Sequence, residues 1–253
     1  MEPSELAAQM ATVSTELPAE RNESLTVRSI VSRALEIVPD AESVSLTVRT
    51  RRLQLQTLAA TDELAREADE LQYSLREGPC VDSVEQADWF RSGSVGQDRR
   101  WPAWGPRAAE LGVGSLLSVL TFSGSEPRGA LNMYSRREGA FDDPDDIDLA
   151  VLYAIHAANA LSAARLVDGL EIAVNSRHVI GMAQGMVMER FGLTVDQAFS
   201  LLQRLSSATN TKVAAVARTI VDTREVPFTQ EHAVDPGESS PRASTDLLES
   251  SGG

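Results

Sequence analysis

The chain has 253 residues, with 23 Lys and Arg against 37 Asp and Glu, a formal net charge of −14, and 42% hydrophobic but only 5% aromatic residues. Aliphatic side chains and alanine must therefore fill its core, and the acidic balance argues against a general nucleic-acid binder, which needs clustered cations against phosphate. The single cysteine, Cys80, excludes an intrachain disulfide and a multi-cysteine zinc site, and fits a reducing compartment.

No apolar run approaches the ~18 residues of a membrane-spanning helix, and Met1-Glu2-Pro3-Ser4-Glu5 lacks the basic and apolar start of a signal peptide. A cytoplasmic protein without a membrane partner is expected. Residues 1–22 are polar and aperiodic and read as a mobile arm. From Ser24, the spacing of Val27, Ile30, Val31, Ala34 and Leu35 predicts a helix that ends before Pro39. The period then changes. Ser43–Val48 alternates strictly, as a half-buried strand does, Arg51-Arg52 can turn the chain, and Leu53, Leu55 and Thr57 complete a hairpin.

A helix through Leu64, Ala68, Leu71 and Leu75 follows, and Pro79 opens a shorter one after Gly78. Trp101–Leu111 reads as helical, ended by Gly112. Ser115–Phe122 and Gly129–Tyr134 read as strands joined through Gly124-Ser125-Glu126-Pro127. Residues 23–165 thus form an α+β unit with an antiparallel sheet. Asp142–Asp146 puts acids at a helix start, where the macrodipole favours them. Helical spacing then continues through Ala150, Ala154, Ile155, Ala158 and Leu161. Gly169 alone costs only ~1 kcal/mol, so this helix is expected to run to about Glu189, which suggests a coiled coil and a homodimer. The alternative is two helices broken near Asp168-Gly169.

Three short helices fit residues 171–224. The second starts at a capping box, Thr194 with Gln197 at N3, and offers Val195, Ala198, Phe199, Leu202 and Leu205 as its apolar face. The third is expected to begin near Asn210, a good N-cap, and to bury Val213, Val216, Ala217 and Ile220. The first supplies Val179, Ile180, Ala183, Met186 and Val187, so the three can share one core. Gly181 and Gly185 lie on one face of that first helix. They read either as tight helix packing or as an open surface for a ligand or RNA. Charge is unevenly spread: residues 171–225 carry six basic and five acidic groups, a net +1, and the tail 226–253 is at −4, which leaves −11 for residues 1–170. The tail, rich in Ser, Glu, Asp, Pro and Gly, reads as disordered.

The run Arg177-His-Val-Ile-Gly-Met-Ala183-Gln184-Gly185-Met-Val-Met188-Glu-Arg190-Phe-Gly192-Leu-Thr-Val-Asp-Gln-Ala198-Phe199, continued by Leu201-Leu202, Asn210-Thr-Lys212 and Val216-Ala217, resembles the ANTAR module of bacterial antiterminators. The resemblance implies an RNA-binding domain over 166–225 that recognises paired stem-loops in nascent transcripts and prevents a terminator hairpin. It also implies Arg177, Gln184, Gly185, Asn210, Lys212 and Arg218 as candidate RNA contacts. The family often carries Lys at the position of Gln184, which can hydrogen-bond a base or phosphate but brings no charge. Asn210 reads equally as a cap.

Upstream, Leu71–Cys80, Asp98-Arg-Arg-Trp101-Pro102, Gly112–Ser118, Gly129–Ser135 and Phe141-Asp142 resemble a GAF domain, in the version that precedes ANTAR in actinobacterial regulators. GAF domains bind small molecules or partner proteins, or dimerise, and the resemblance makes Tyr73, Cys80 and Trp101 candidates for a sensory pocket. Cys80, beside Pro79 and without basic neighbours, reads as a buried small hydrophobe, with a redox or cofactor-attachment role as the alternative. His156 and His178 have no helical partner for a metal. There is no phosphate-binding Gly-rich loop and no arguable Ser–His–Asp set. The expectation is a non-enzymatic transcription antitermination regulator without a cofactor. The alternative is a dimerisation or protein-interaction regulator that does not bind RNA.

Overall fold

The apolar spacing of residues 27–35 produces a helix, α1, spanning Glu23–Ile37 in the computed structural model, which describes residues 22–50, 52–121 and 128–226. Asn22 caps α1 by accepting from the backbone N–H groups of Ser24 and Leu25. Then come β1 (Ser43–Arg49), β2 (Leu55–Ala60), α2 (Glu63–Leu75), α3 (Pro79–Gln86) and the short strand β3 (Phe90–Ser92). The single-turn helix α4 (Gly105–Glu110), β4 (Ser115–Thr121) and β5 (Gly129–Ser135) lead into α5 (Pro144–Phe191), α6 (Val195–Thr209) and α7 (Val213–Thr223). All but the last residue of the expected arm, most of the expected tail and the loop at Gly124–Pro127 lie outside the described residues.

The five strands form one antiparallel sheet in the order β2-β1-β5-β4-β3. Register puts Val44 opposite Met133 and Leu46 opposite Leu131, with Leu117 and Val119 facing the same two residues from β4. These side chains share one face and form the main core with Ile30 and Ala34 of α1 and Ala150, Tyr153 and Ala157 of α5. The Tyr153 hydroxyl donates to the Ile30 carbonyl at 2.7 Å, which ties α5 to α1 inside that core.

Two expectations need correction here. The alternation in β1 marks a strand buried on both sides rather than one half in water: residues Ser43–Val48 are all buried. Ser45 and Thr47 point to a second interior, roofed by α2 and α3, in which polar side chains satisfy one another. Likewise, only Gly105–Glu110 of the stretch Trp101–Leu111 is helical. The preceding residues are held by side chains instead. Glu77 accepts the backbone N–H groups of Ala103 and Trp104, and the Trp101 indole donates to Asp82 at 2.8 Å.

α5 is continuous through Gly169, the first of the two alternatives for this stretch, and is 48 residues long. By length and composition it could cross a membrane, but half of its most apolar window is buried inside the protein, as in the core helix of a soluble fold. The chain divides into two compact units, Met1–Ile172 and Ala173–Gly253.

In the second unit, Val179, Ala183 and Val187 of α5 pack with Ala198, Leu202 and Leu205 of α6 and Val216, Ala217 and Ile220 of α7. The Thr194–Gln197 capping box is formed in both directions. Two details differ from expectation. Val195 and Phe199 are exposed, at 57% and 38%, because the core takes the α6 stripe through Ala198, Leu202 and Leu205. Asn210 ends α6 rather than starting α7. It adopts the left-handed conformation (φ 50°), which asparagine tolerates better than most residues, and its N–H returns to the carbonyls of Ser206 and Ser207. Lys212 occupies the N-cap of α7 without a side-chain cap.

Candidate functional site

The C-terminal stretch of α5 has two unlike sides. At about 100° per residue, Val179, Ala183 and Val187 fall on one side, and all three are buried. Arg177, Gly181 and Gly185 fall on the opposite side and are exposed. A Cβ built on Gly181 or Gly185 would meet no atom within 4 Å. Tight packing within this unit therefore does not explain the two glycines, and their face is open.

The other candidate contacts surround this unit differently. The Gln184 amide donates to the Val195 carbonyl at 3.4 Å, so that side chain steadies the entry to α6. Lys212, at the N-cap of α7, and Arg218, within α7, are both exposed. Asn210 lies in the tight connection between α6 and α7. Arg190 is committed to structure, since it donates to the Arg224 carbonyl just beyond α7 at 3.1 Å.

The first unit contains a buried polar network that sequence reasoning did not find. Asp69, on α2, is wholly buried. Its Oδ1 accepts from the Tyr134 hydroxyl at 2.5 Å and the Asn132 amide at 2.9 Å, and its Oδ2 accepts from Thr57 at 2.7 Å and Thr47 at 3.3 Å. Burial pushes its carboxyl above the ordinary range, although these donors pull the other way. Gln72 extends the network, donating to Tyr134 at 3.1 Å and accepting from the Cys80 N–H at 2.8 Å. Asn132 accepts from Ser118 at 2.7 Å. One signal was available: Asp69 falls at helical spacing with Ala65, Ala68 and Gln72, the stripe that α2 buries.

Beside this network lies a cavity of 650 Å³ lined by the end of the β1–β2 hairpin, the end of α2 and α3. Of the three residues expected at a sensory pocket, Tyr73 lines it. Its hydroxyl lies 2.6 Å from that of Thr47 and 2.8 Å from that of Thr57, which joins the cavity wall to the network. Cys80 is fully buried in a small cluster with Val84 and Ala130, against which Tyr73 packs. Burial, then the charge of Asp69, pushes the Cys80 thiol well above its usual range, the reverse of what a reactive cysteine needs. Trp101 belongs to a different cluster, edge-on to Trp104 and Phe90. Among the described residues no three His, Cys, Asp or Glu side chains are grouped to hold a metal ion.

This sheet, with α1 and α5 on one face and α2 and α3 on the other, is the GAF fold. The GAF domain of a phosphoenolpyruvate-protein phosphotransferase from Coxiella burnetii matches at 18% identity and TM-score 0.51, covering 65% of this chain and 96% of that one. The corresponding domain from Acinetobacter matches at 13% identity and TM-score 0.50, covering 66% and 98%. A bacteriophytochrome from R. palustris reaches TM-score 0.57 at 9% identity, over 80% of this chain and 47% of its own. Such low identities speak for fold alone, and no curated protein matches. Residues 20–162 match the GAF domain family and residues 168–221 the ANTAR domain family. The chain belongs to the GAF family and joins its GAF domain to an ANTAR domain, both regulatory modules that are typically non-enzymatic.

Proposed function

We propose that this chain is a cytoplasmic transcription antitermination regulator without catalysis of its own, in which the GAF domain senses a signal and the ANTAR helices bind paired stem-loops in nascent mRNA. Residues 1–22 are an arm, 23–165 the sensor, 166–225 the RNA-binding domain and 226–253 an acidic tail. The observation that carries this reading is the open face of α5, where Arg177 stands beside two glycines whose added Cβ would meet no described atom within 4 Å. Glycines in a helix interior weaken it, and an approaching RNA backbone is a reason to keep them. Arg177 and Arg218 supply guanidinium planes for phosphates or unstacked bases, and Lys212 adds charge at the start of α7, where free N–H groups favour anions.

With so few cations, one domain binds weakly, and two on a homodimer gain through effective concentration. The exposed apolar side chains Leu152, Ile155, Leu166, Leu170 and Val174 on α5 support such a dimer. A protein-docking role for the ANTAR domain is the second reading, favoured by exposed Val195, Phe199 and Met182.

The test is binding of the full chain to an RNA with two adjacent stem-loops across a salt series. The expected outcome is salt-sensitive binding, with the log–log slope reduced by about 1 in each of Arg177→Ala and Lys212→Ala. RNA binding without salt dependence, or none at all, would move the weight to protein docking.

A further inference from the structure

The cavity in the GAF domain has an unusual charge for its setting. Three arginines line it, Arg49 at the end of β1, Arg52 in the hairpin turn and Arg76 at the end of α2, against one acid, Glu85. None of the three guanidinium groups forms a salt bridge among the described residues, although the chain as a whole is at −14. Arg28, Arg99, Arg107 and Arg128 of this domain likewise form no salt bridge among the described residues, so what sets Arg49, Arg52 and Arg76 apart is that they line one concavity. Like charges gathered around one concavity repel one another unless an anion lies between them.

The rest of the lining is mixed: Gln54 is polar, and Leu53, Leu55, Val81 and Val84 are apolar, the last two buried. Tyr73 closes the cavity towards the Asp69 network. Convergent polar groups beside apolar side chains suit a small-molecule site, and 650 Å³ falls within the usual size range.

We propose that this cavity binds a small organic anion, its phosphate or carboxylate against Arg49, Arg52 and Arg76 and its apolar body over Leu55, Val81 and Val84. Guanidinium groups engage either anion through paired, charge-assisted hydrogen bonds, which fix its orientation as well as its sign. The ligand's role as the sensed signal rests on the function proposed above, but its binding does not. Tyr73 offers the route by which occupancy reaches the buried network, since any shift of its ring alters hydroxyl contacts with Thr47 and Thr57, both of which also bond Asp69.

The test is calorimetric titration of the full chain, without RNA, with 1-naphthyl phosphate, 1-naphthoate, inorganic phosphate and neutral 1-naphthol. The expected result is saturable binding, one per chain, of at least one naphthyl anion. Which of the two binds more tightly tells phosphate from carboxylate. The variants are Arg52→Ala and Arg76→Asn, the asparagine being chosen because residue 76 is left-handed (φ 54°). Each should weaken binding on the order of tenfold or more, and Glu85→Gln should strengthen it. Tryptophan fluorescence, all from this domain, confirms that each variant is folded. Three results would overturn the proposal: no binding of either anion, naphthol binding as tightly as the anions, or undiminished binding in the folded double variant. Because no RNA is present, failure here leaves the RNA reading intact, and failure of the RNA reading leaves this result standing.

Discussion

Replacing Gly181 or Gly185 with alanine should make the protein more stable and a poorer RNA binder. Both glycines lie inside α5 with helical backbone, and neither has a left-handed φ that would strain an alanine. Their added Cβ atoms would meet nothing within 4 Å, so no clash opposes the change. What remains is the difference in helix propensity, about 0.8–1 kcal/mol for each substitution. The ANTAR domain contains no tryptophan, and Trp89, Trp101 and Trp104 all lie in the GAF domain. Chemical denaturation followed by far-ultraviolet circular dichroism therefore reports both domains, and tryptophan fluorescence reports the GAF domain. The stabilisation should appear in the former and be absent from the latter. RNA affinity should fall in the same variants, because a methyl group at either position holds a phosphate backbone away from the helix. Destabilisation by alanine would refute the open face, and stabilisation with unchanged RNA affinity would refute its role in binding RNA.

Other outcomes follow from single contacts. Thr194→Ala removes the acceptor for the Gln197 N–H and should destabilise the ANTAR domain by about 1 kcal/mol in the same denaturation assay. Leu202→Ala opens a cavity at the centre of the three-helix core and should cost about 2–5 kcal/mol, enough to abolish the dichroism transition of that domain at modest denaturant while GAF fluorescence is retained. Asp69→Asn tests the buried carboxyl. Because burial raises its folded pKa above the unfolded value, its contribution to stability is fully present below the unfolded pKa and is lost as pH rises through the folded one. The stability of Asp69→Asn relative to wild type should therefore improve from acid to neutral pH, as read by tryptophan fluorescence unfolding. A relative stability independent of pH would show that Asp69 titrates normally. Tyr153→Phe deletes the hydroxyl bonded to Ile30 and should lower GAF stability by about 0.5–1.5 kcal/mol.

Much of the architecture was legible because local signals and burial agree in it. The alternation in Ser43–Val48, the apolar stripe of α1 and the capping box at Thr194 each name one structure, and each forms. The sequence was less informative where long-range packing decides. Nothing local marks Ser45, Thr47 and Asn132 as interior, since their burial depends on α2 covering the far face of the sheet. Asn210 is a good residue for either end of a helix, and only the backbone path selects the left-handed C-cap. Phe199 joins the apolar pattern of α6 yet sits at its exposed edge. The cavity arginines come from three elements separated by up to 27 positions, Arg49 to Arg76, so their convergence has no sequence signature. On α5, the helical period puts Arg177, Gly181 and Gly185 on one face, but only the three-dimensional neighbours show that this face is uncovered.

RNA should contact the open face of α5 directly. The most direct measurement is ultraviolet crosslinking of the full chain to a two-stem-loop RNA, with the attached peptides mapped by mass spectrometry. Crosslinks should fall within residues 177–188 and 210–218 and be suppressed in Gly185→Ala. Crosslinks confined to the GAF domain, or to the buried side of α5, would contradict it.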